Sequence, residues 1–394
     1  MAALLFWTSV GLIGYSYAGY PLLLALLARF LPQPSWQPGD WPSVTLIIAA
    51  YNEEQTIAPK LDNSLALDYP SDRLQILVAV DSAKDATQDV VAGYSTRGVE
   101  LDFSPERKGK MAAINRVMPN AKGEIIVFSD SNNQFAEDTL RELVKPFTDP
   151  TVGAVTGSKN IIKDDSTLGA SEGLYWYYES FIKEQETRLG CCTAAAGEIF
   201  AVRKSLFRPP PDRIINDDFY LATDLIKRGY RVIYAPQARS FERVSATAGD
   251  EIKRRTRIIA GRYQALGHAR QLLPLNRPLV AWQLISHKFL RPLVPFAMLT
   301  ALAANVYVVL FPDPAERLSL LQLGPPFGWL LLGLQILFYG AAWFGRRHES
   351  DTWLGKVLYL PTFLVNSNWA ALIGFFRYLS GTQTALWERV QRRE

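Results

Sequence analysis

An α/β domain built on a mainly parallel sheet and inserted between transmembrane helices is the fold this sequence predicts. Three observations predict it. From Ser43 onward, short apolar runs alternate with helical stretches, the pattern of a sheet covered by helices on both faces. Long apolar stretches lie toward both ends of the chain, each about the length needed to cross a bilayer. Three of the short runs stop on acids or amides, at Asn52/Glu53, Asp81 and Asp130, and ligands collect where strands end in open α/β sheets.

The chain begins with an apolar stretch from Ala2 to Phe30 whose only charge is Arg29. It has no positive leader segment and is too long for a signal-peptide core, so residues 1–31 read as a membrane anchor. Residues 31–42 hold four prolines and no periodicity, a linker leaving the membrane. A soluble domain over 43–245 follows. Val44 to Ala50 is a buried strand, with a helix expected from Glu54 to Leu67. Leu74 to Val80 is a second strand ending on Asp81, Val99 to Phe103 a third, and Met111 to Val117 a helix opened by Lys108-Gly109-Lys110. Ile125 to Phe128 is a four-residue apolar strand that delivers Asp130-Ser131-Asn132. Val152 to Gly157 is another strand. Residues 168–189 read as a helix whose aromatics, Tyr175 to Tyr178 and Phe181, suit core or membrane-surface packing. Asn216-Asp217-Asp218 opens a helix that Gly229 stops, and Arg231 to Ala235 is the last strand.

Residues 246–290 form basic helices on the acceptor side or at the membrane interface. Lys253, Arg254, Arg255, Arg257 and Arg262 stand close together there, and such a helix attracts anions or lies on anionic lipid. A C-terminal membrane region over 291–379 holds spans at Leu293 to Phe311 and Phe327 to Phe344, with Arg346, Arg347 and His348 expected on the cytoplasmic side. Val357 to Phe376 carries Pro361 and Asn366-Ser367-Asn368. Polar groups at its centre, and Arg377, Arg389, Arg392 and Arg393 beyond it, favour a re-entrant or interfacial hairpin over a crossing. Residues 380–394 read as a cytoplasmic tail.

Composition narrows the function. Lys and Arg total 42 against 38 acids, a net charge of +4, and no basic face is interleaved with base-stacking aromatics, so nucleic acid is not an expected partner. The adjacent Cys191 and Cys192 give no disulfide framework and read first as small apolar packing, with a reactive thiol as the other reading. Asp130 and Asn132 place two oxygen ligands at one strand end, the ligand type preferred by Mg²⁺ or Mn²⁺. An Asx-rich turn is the plainer account of the same residues, as helix capping is for Asp217 and Asp218.

The ordered set of motifs carries more than any one of them. Ala50-Tyr51-Asn52-Glu53-Glu54, Asp81 with Asp85, Lys108-Gly109-Lys110, Asp130-Ser131-Asn132, Gly197-Glu198, Asn216-Asp217-Asp218 and Arg257 to Tyr263 together resemble the membrane-bound glycosyltransferases of family 2, the group of hyaluronan, cellulose and poly-N-acetylglucosamine synthases. The resemblance covers residues 43–270 and implies a GT-A-type, Rossmann-like sheet domain, a nucleotide-sugar donor, most readily a UDP-sugar, and Mg²⁺ or Mn²⁺. It implies donor contacts at Ala50, Asn52, Glu53, Asp81, Lys110, Ser129, Asp130, Arg257 and Arg262. It implies metal ligands at Asp130 and Asn132, a base at Asp218 beside Asp217, and acceptor contacts at Gly197, Glu198 and Tyr263.

Each assignment suits the chemistry. Carboxylates accept from base N–H and ribose hydroxyls, guanidinium groups recognise phosphate oxygens, and an acceptor hydroxyl needs a positioned base. The chain departs from the family at Asn132, where a second acid is usual, and at Ile259 and Tyr263, where the processive synthases carry Gln and Trp. The implied function is inverting transfer of a sugar to a growing polysaccharide, with secretion through the spans as a further expectation. A glycolipid-forming enzyme with a lipid acceptor is the alternative, and a non-catalytic scaffold of a synthase complex is a lesser one. The implied location is an integral membrane protein with its catalytic domain in the cytoplasm.

Overall fold

The computed structural model describes residues 1–37, 39–162, 167–211, 213–243, 248–313, 319–347 and 353–383. His348, Arg389, Arg392 and Arg393, invoked above for orientation, lie outside the described residues. The chain divides into two compact units, one made of Leu24–Glu251 with Gly267–Ala281, the other of Met1–Leu23, Ile252–Leu266 and Trp282–Thr382.

Helices α1 (Ala2–Gly14) and α2 (Tyr20–Ala28) are joined by a π-helical turn, Tyr15–Gly19, into one long apolar helix. The sheet unit then runs β1 (Val44–Ala50), α3 (Ile57–Leu65), β2 (Leu74–Asp81), α4 (Thr87–Ala92), β3 (Val99–Ser104), α5 (Lys110–Val117), β4 (Ile125–Asp130), β5 (Asn133–Phe135), α6 (Thr139–Val144), β6 (Val152–Ile161), α7 (Thr167–Arg188), β7 (Phe200–Arg203), α8 (Asp217–Lys227) and β8 (Arg231–Glu242). Eight strands form one sheet in the order β3-β2-β1-β4-β7-β6-β8-β5. The β1–β2, β1–β4, β2–β3 and β6–β8 pairs are parallel, while β7 runs antiparallel to both β4 and β6, and β5 antiparallel to β8.

The strand residues explain their place. All seven residues of β1 are buried, because the strand is sandwiched between two cores. Leu46 and Ile48 face one with Val78 and Val127; Ile47 faces the other with Leu77, Ile126 and Phe128. Each fully buried Ile, Leu or Val contributes about 1.5–3 kcal/mol. A continuous apolar run without alternation is what burial on both faces requires. The first three parallel pairings bring the C-terminal ends of β1, β2 and β4 to one edge, so Ala50, Asp81 and Asp130 end side by side.

Two strands outrun their apolar cores. β6 continues past Gly157 to Ile161, and β8 past Ala235 to Glu242, the two paired over Ser158–Ile161 against Arg239–Glu242. Cys191 and Cys192 are buried and unpaired as a disulfide, in the core with Phe200 and Val202, and burial pushes both thiols up. Apolar packing is therefore their role.

The other unit is helical. Helix α9 (Ala248–Gly267) starts close to its boundary, and the chain returns through α10 (Ala269–Leu272) and α11 (Pro278–Leu284) to a second π-helical turn, Ile285–Phe289. Then come α12 (Val294–Leu310), α13 (Phe327–Gly345) and α14 (Trp353–Leu379). Among the described residues, four stretches, Ala2–Ala28, Pro278–Leu310, Phe327–Gly345 and Val357–Leu379, are long and apolar enough to cross a membrane.

The last of these corrects the expected hairpin: α14 is a single helix of 27 residues. Two of its three central polar residues, Ser367 and Asn368, find partners inside the unit. Asn368 donates through Nδ2 to Tyr17 Oη and Leu364 O, each at 2.8 Å, and Arg255 donates to Ser367 Oγ at 3.1 Å. Polar groups at membrane depth are tolerated when buried in protein. At Gly374 a side chain would meet Thr256 O and Ala260 N at 3.1 Å, so that glycine lets α9 and α14 approach closely.

Candidate active site

The loops after β1 and β2 are stitched together before any ligand arrives. Asn52 accepts from Lys84 N at 2.8 Å, Glu53 N donates to Thr87 Oγ1 at 2.7 Å, and Glu54 N donates to Asp85 Oδ2 at 3.3 Å. Glu54 Oε2 in turn accepts from Ala86 N at 3.2 Å. Asn52 and Ser82 hold φ of 55° and 58°, a left-handed conformation uncommon outside glycine and concentrated at functional sites. The Glu53 carboxylate, buried, accepts from Thr56 Oγ1 at 2.7 Å.

Asp81 turns inward. Its two oxygens accept from the backbone N–H groups of Lys108 at 3.1 Å and Gly109 at 2.7 Å. Gly109 has φ 94°, readily adopted because it has no Cβ, and this presents both donors to one carboxylate. The next residue, Lys110, starts α5. Asp81 thus sets the turn that precedes Lys110.

Lys110 Nζ lies 2.5 Å from Asp130 Oδ1. Burial works against its charge, but the carboxylates of Asp130, Asp217 and Asp218 outweigh that and raise its pKa. For Asp130, burial favours the neutral form, and Lys110 overrides it to hold the carboxyl below its usual range. One ammonium is therefore shared among the acids of β4 and α8.

Asp217 and Asp218 are the first residues of α8, after its N-cap Asn216, and accept from the first turn: Asp218 N donates to Asp217 Oδ1 at 3.1 Å and Phe219 N to Asp218 Oδ1 at 2.8 Å. Burial first, then the neighbouring Asp217 charge, push the Asp218 carboxyl up to about 6. Its Oδ2 faces Gly197, where an added Cβ would stand 3.4 Å from Oδ2 and 3.2 Å from the Asp218 Cβ. Gly197 leaves the room that Asp218 occupies. Glu198 also raises the Asp218 pKa, so the predicted acceptor motif and the predicted base are neighbours.

Three further residues belong here that the sequence reading missed. Lys159 pairs with Glu198 at 3.2 Å and also with Glu242, with Lys159 and Glu242 both buried. Asn132 donates through Nδ2 to Glu242 Oε1 at 3.0 Å. Lys60, the third, is 1% exposed in α3. Glu242 does end a strand, the signal that found Asp81 and Asp130, but its strand was expected to stop at Ala235.

Of the other expected site residues, two are buried in the sheet unit and three belong to the helical unit. Ser129 is 1% exposed and its hydroxyl donates to Asn133 Oδ1 at 3.0 Å, so it supports the strand end rather than touching a donor. Ala50 is fully buried. Arg257, Arg262 and Tyr263 lie in the helical unit. There Tyr263 is 3% exposed, its hydroxyl donates to Pro292 O at 2.5 Å, and its ring packs on Phe375 and Tyr378. The expected sugar platform is a core residue of the helical unit.

The donor set fits a hard cation. Asp130 offers one carboxylate. Asn132 has its amide nitrogen committed to Glu242, which leaves its carbonyl oxygen for a ligand role. Mg²⁺ and Mn²⁺ prefer such oxygen ligands, and Mg²⁺ usually combines one or two carboxylates with waters and substrate phosphates. Among the described residues no group of three or more His, Cys, Asp or Glu side chains could hold a metal by itself.

Residues 45–208 match a family model described as glycosyl transferase family 2. The chain is 27% identical over 241 residues to a poly-β-1,6-N-acetyl-D-glucosamine synthase of Staphylococcus aureus, covering 59% of this chain and 58% of that protein. It therefore spans about three-fifths of that relative's length. It is 26% identical over 305 residues to the probable glycosyltransferase YdaM of Bacillus subtilis, covering 71% and 70% of the two chains. Among solved structures, a mannosyltransferase of Pyrobaculum calidifontis in complex with GDP-mannose and Mn²⁺ superposes with a TM-score of 0.70 at 23% identity, covering 96% of this chain and 99% of that one. That likeness speaks for the fold, the GT-A type with flanking apolar helices.

Proposed function

The chain carries a family 2 glycosyltransferase domain, and from that premise we propose that it transfers a sugar, with inversion, from a nucleotide-sugar donor to an acceptor hydroxyl at a membrane surface. A UDP-sugar is the donor of first choice. The observation that carries the proposal is the meeting of Lys110 with Asp130, Asp217 and Asp218, three acids acting on one ammonium. The base and ribose belong on the stitched loops after β1 and β2, and the diphosphate beside Asp130 and Lys110.

Asp218 takes the proton of the acceptor hydroxyl through its carboxylate. A positioned base of this kind contributes about 10²–10⁴-fold. Its raised pKa makes it a stronger base than an ordinary carboxylate while leaving it ionised near neutral pH. The hydroxyl oxygen then attacks the anomeric carbon from the face opposite the diphosphate, which leaves carrying the charge that Lys110 stabilises. Asp130 and the Asn132 carbonyl would hold a divalent cation, which supplies Lewis-acid neutralisation of that leaving diphosphate.

The acceptor is a growing glycan, by the name of the staphylococcal relative, or a lipid headgroup. Burial of Tyr263 favours the second, since a synthase that holds a polymer between additions needs an open sugar platform. The four long apolar helices suit an acceptor that enters from the bilayer, with the catalytic unit on the cytoplasmic side. Incubating the purified protein in bilayer discs with labelled nucleotide sugars tests the reading. Nucleotide release and label entering polymer or the organic phase are expected. Failure to turn over any nucleotide sugar contradicts it.

A further inference from the structure

Lys60 lies in α3 on the side of the sheet that faces β5, and it is 1% exposed. Its ammonium stands 3.3 Å from Asn133 Oδ1 and 4.1 Å from the centre of the Phe135 ring. No ion pair of Lys60 is present among the described residues. A buried lysine without a counter-ion is costly, and burial brings this amine down to about 7 against the opposing field of Asp130. Such a group persists where its hydrogen bond holds something in place.

What it holds is Asn133, the hub of the site's floor. Asn133 Oδ1 also accepts from Ser129 Oγ at 3.0 Å, and its Nδ2 donates to Ser240 Oγ at 2.6 Å and to Glu198 O at 3.1 Å. These bonds tie the end of β4 to β8 and to the Gly197-Glu198 turn. The neighbouring Asn63 rivets the same helix to β5: it donates to Phe135 O at 2.9 Å and accepts from Phe135 N at 2.8 Å. Helix α3 therefore grips the segment that follows Asp130 and Asn132 at two successive turns, and Lys60 is the grip that reaches the hub.

We propose that Lys60 is a positioning residue for glycosyl transfer: its hydrogen bond to Asn133 fixes the Asp130-to-Asn133 turn against the Glu198 turn and β8, and so sets the spacing between the diphosphate side and the acceptor side. Nothing in the family pattern given above calls for a lysine there. The inference rests on the reading that Asp130 faces the donor diphosphate.

The test uses the full chain in bilayer discs. Lys60→Met removes the hydrogen bond and suits the apolar surroundings. Lys60→Gln keeps an N–H donor on a neutral side chain one bond shorter, a gap that a small shift of Asn133 closes. For Lys60→Met we expect kcat to fall about tenfold or more, as loss of an outer positioning partner commonly does, with donor KM changed less than threefold and the thermal midpoint held. Lys60→Gln should recover kcat to within about threefold of the parent chain. Adding Lys60→Met to Asn133→Ala should cost nothing beyond Asn133→Ala alone, since Lys60 acts through Asn133 and residues acting through one another are not additive. Unchanged kcat per folded molecule in Lys60→Met, a tenfold loss in a folded Lys60→Gln, or fully additive losses would each overturn the proposal. Asp130→Ala separates this from failure of the underlying reading: if that variant turns over normally, the donor assignment is wrong. If only the Lys60 variants do, Lys60 alone is misassigned.

Discussion

The ammonium of Lys110 and the carboxylate of Asp130, 20 residues apart in sequence, stand 2.5 Å from each other at the C-terminal edge of the sheet. The contact links two elements of the site, the turn set by Asp81 and the end of β4. It also keeps Asp130 ionised against its burial. Lys110→Met should therefore do two things at once: weaken donor diphosphate binding and release the Asp130 carboxyl toward a higher pKa. Donor KM measured from pH 5 to 8 is expected to be at least tenfold higher than in the parent chain, with the gap widest at the acid end, where Asp130 begins to protonate.

With Asp218 as the proposed base, the Asp217–Asp218 pair should set the acid limb of activity. Asp218 is pushed up to about 6, and the base works only when ionised. The ratio kcat/KM should rise with pH through about 6 and level off above it. Asp217→Asn removes the neighbouring negative charge that helps raise Asp218, so the limb should move to lower pH. A limb that moves upward or stays fixed would contradict the charge coupling.

Gly197 makes room for Asp218. In Gly197→Ala the new methyl meets the Asp218 Cβ at 3.2 Å, which requires a shift of a few tenths of an ångström. Misplacement of a catalytic group by about 1 Å can cost about 100-fold, so a smaller displacement should lower kcat by about tenfold with little change in donor KM. Circular dichroism should show the fold intact.

Asn132 is an amide for a structural reason, its Nδ2 donating to the buried Glu242. Asn132→Asp restores the acid usual in the family but sets a carboxylate against a carboxylate. That should destabilise the protein by about 1–3 kcal/mol and lower activity. Adding Glu242→Gln returns a donor to the pair and should recover both the thermal midpoint and turnover. The same preparations, stripped with chelator, should lose activity and regain it with Mn²⁺ or Mg²⁺.

Much of this site was legible because local chemistry announced it. β1, β2 and β4 each hold an apolar run, residues 46–50, 76–80 and 125–128, that leads to Asn52, Asp81 and Asp130, and burial on both faces demands that pattern. Asp217 and Asp218 were legible as a pair at a helix start. What escaped depends on pairing across long sequence separations. β8 continues through Arg239 to Glu242 because β6 and β5 flank it there, and nothing local marks those residues as strand. Lys60 looks like an ordinary helix lysine until α3 is laid on β5. Tyr263 read as a platform because its position in the motif says nothing about Phe375 and Tyr378. The hairpin expected over Val357–Phe376 failed because Tyr17 and Arg255 satisfy Asn368 and Ser367 from distant parts of the helical unit.

The central claim is that Asp218 is the base of a sugar transfer, and one comparison tests it most directly. Asp218→Asn keeps the shape of the side chain and an oxygen for the Phe219 N–H, but removes the basicity. Turnover of labelled nucleotide sugar should fall by at least 100-fold, while nucleotide binding measured by calorimetry stays within about threefold of the parent chain. Turnover preserved in that variant, with binding intact, would contradict the account.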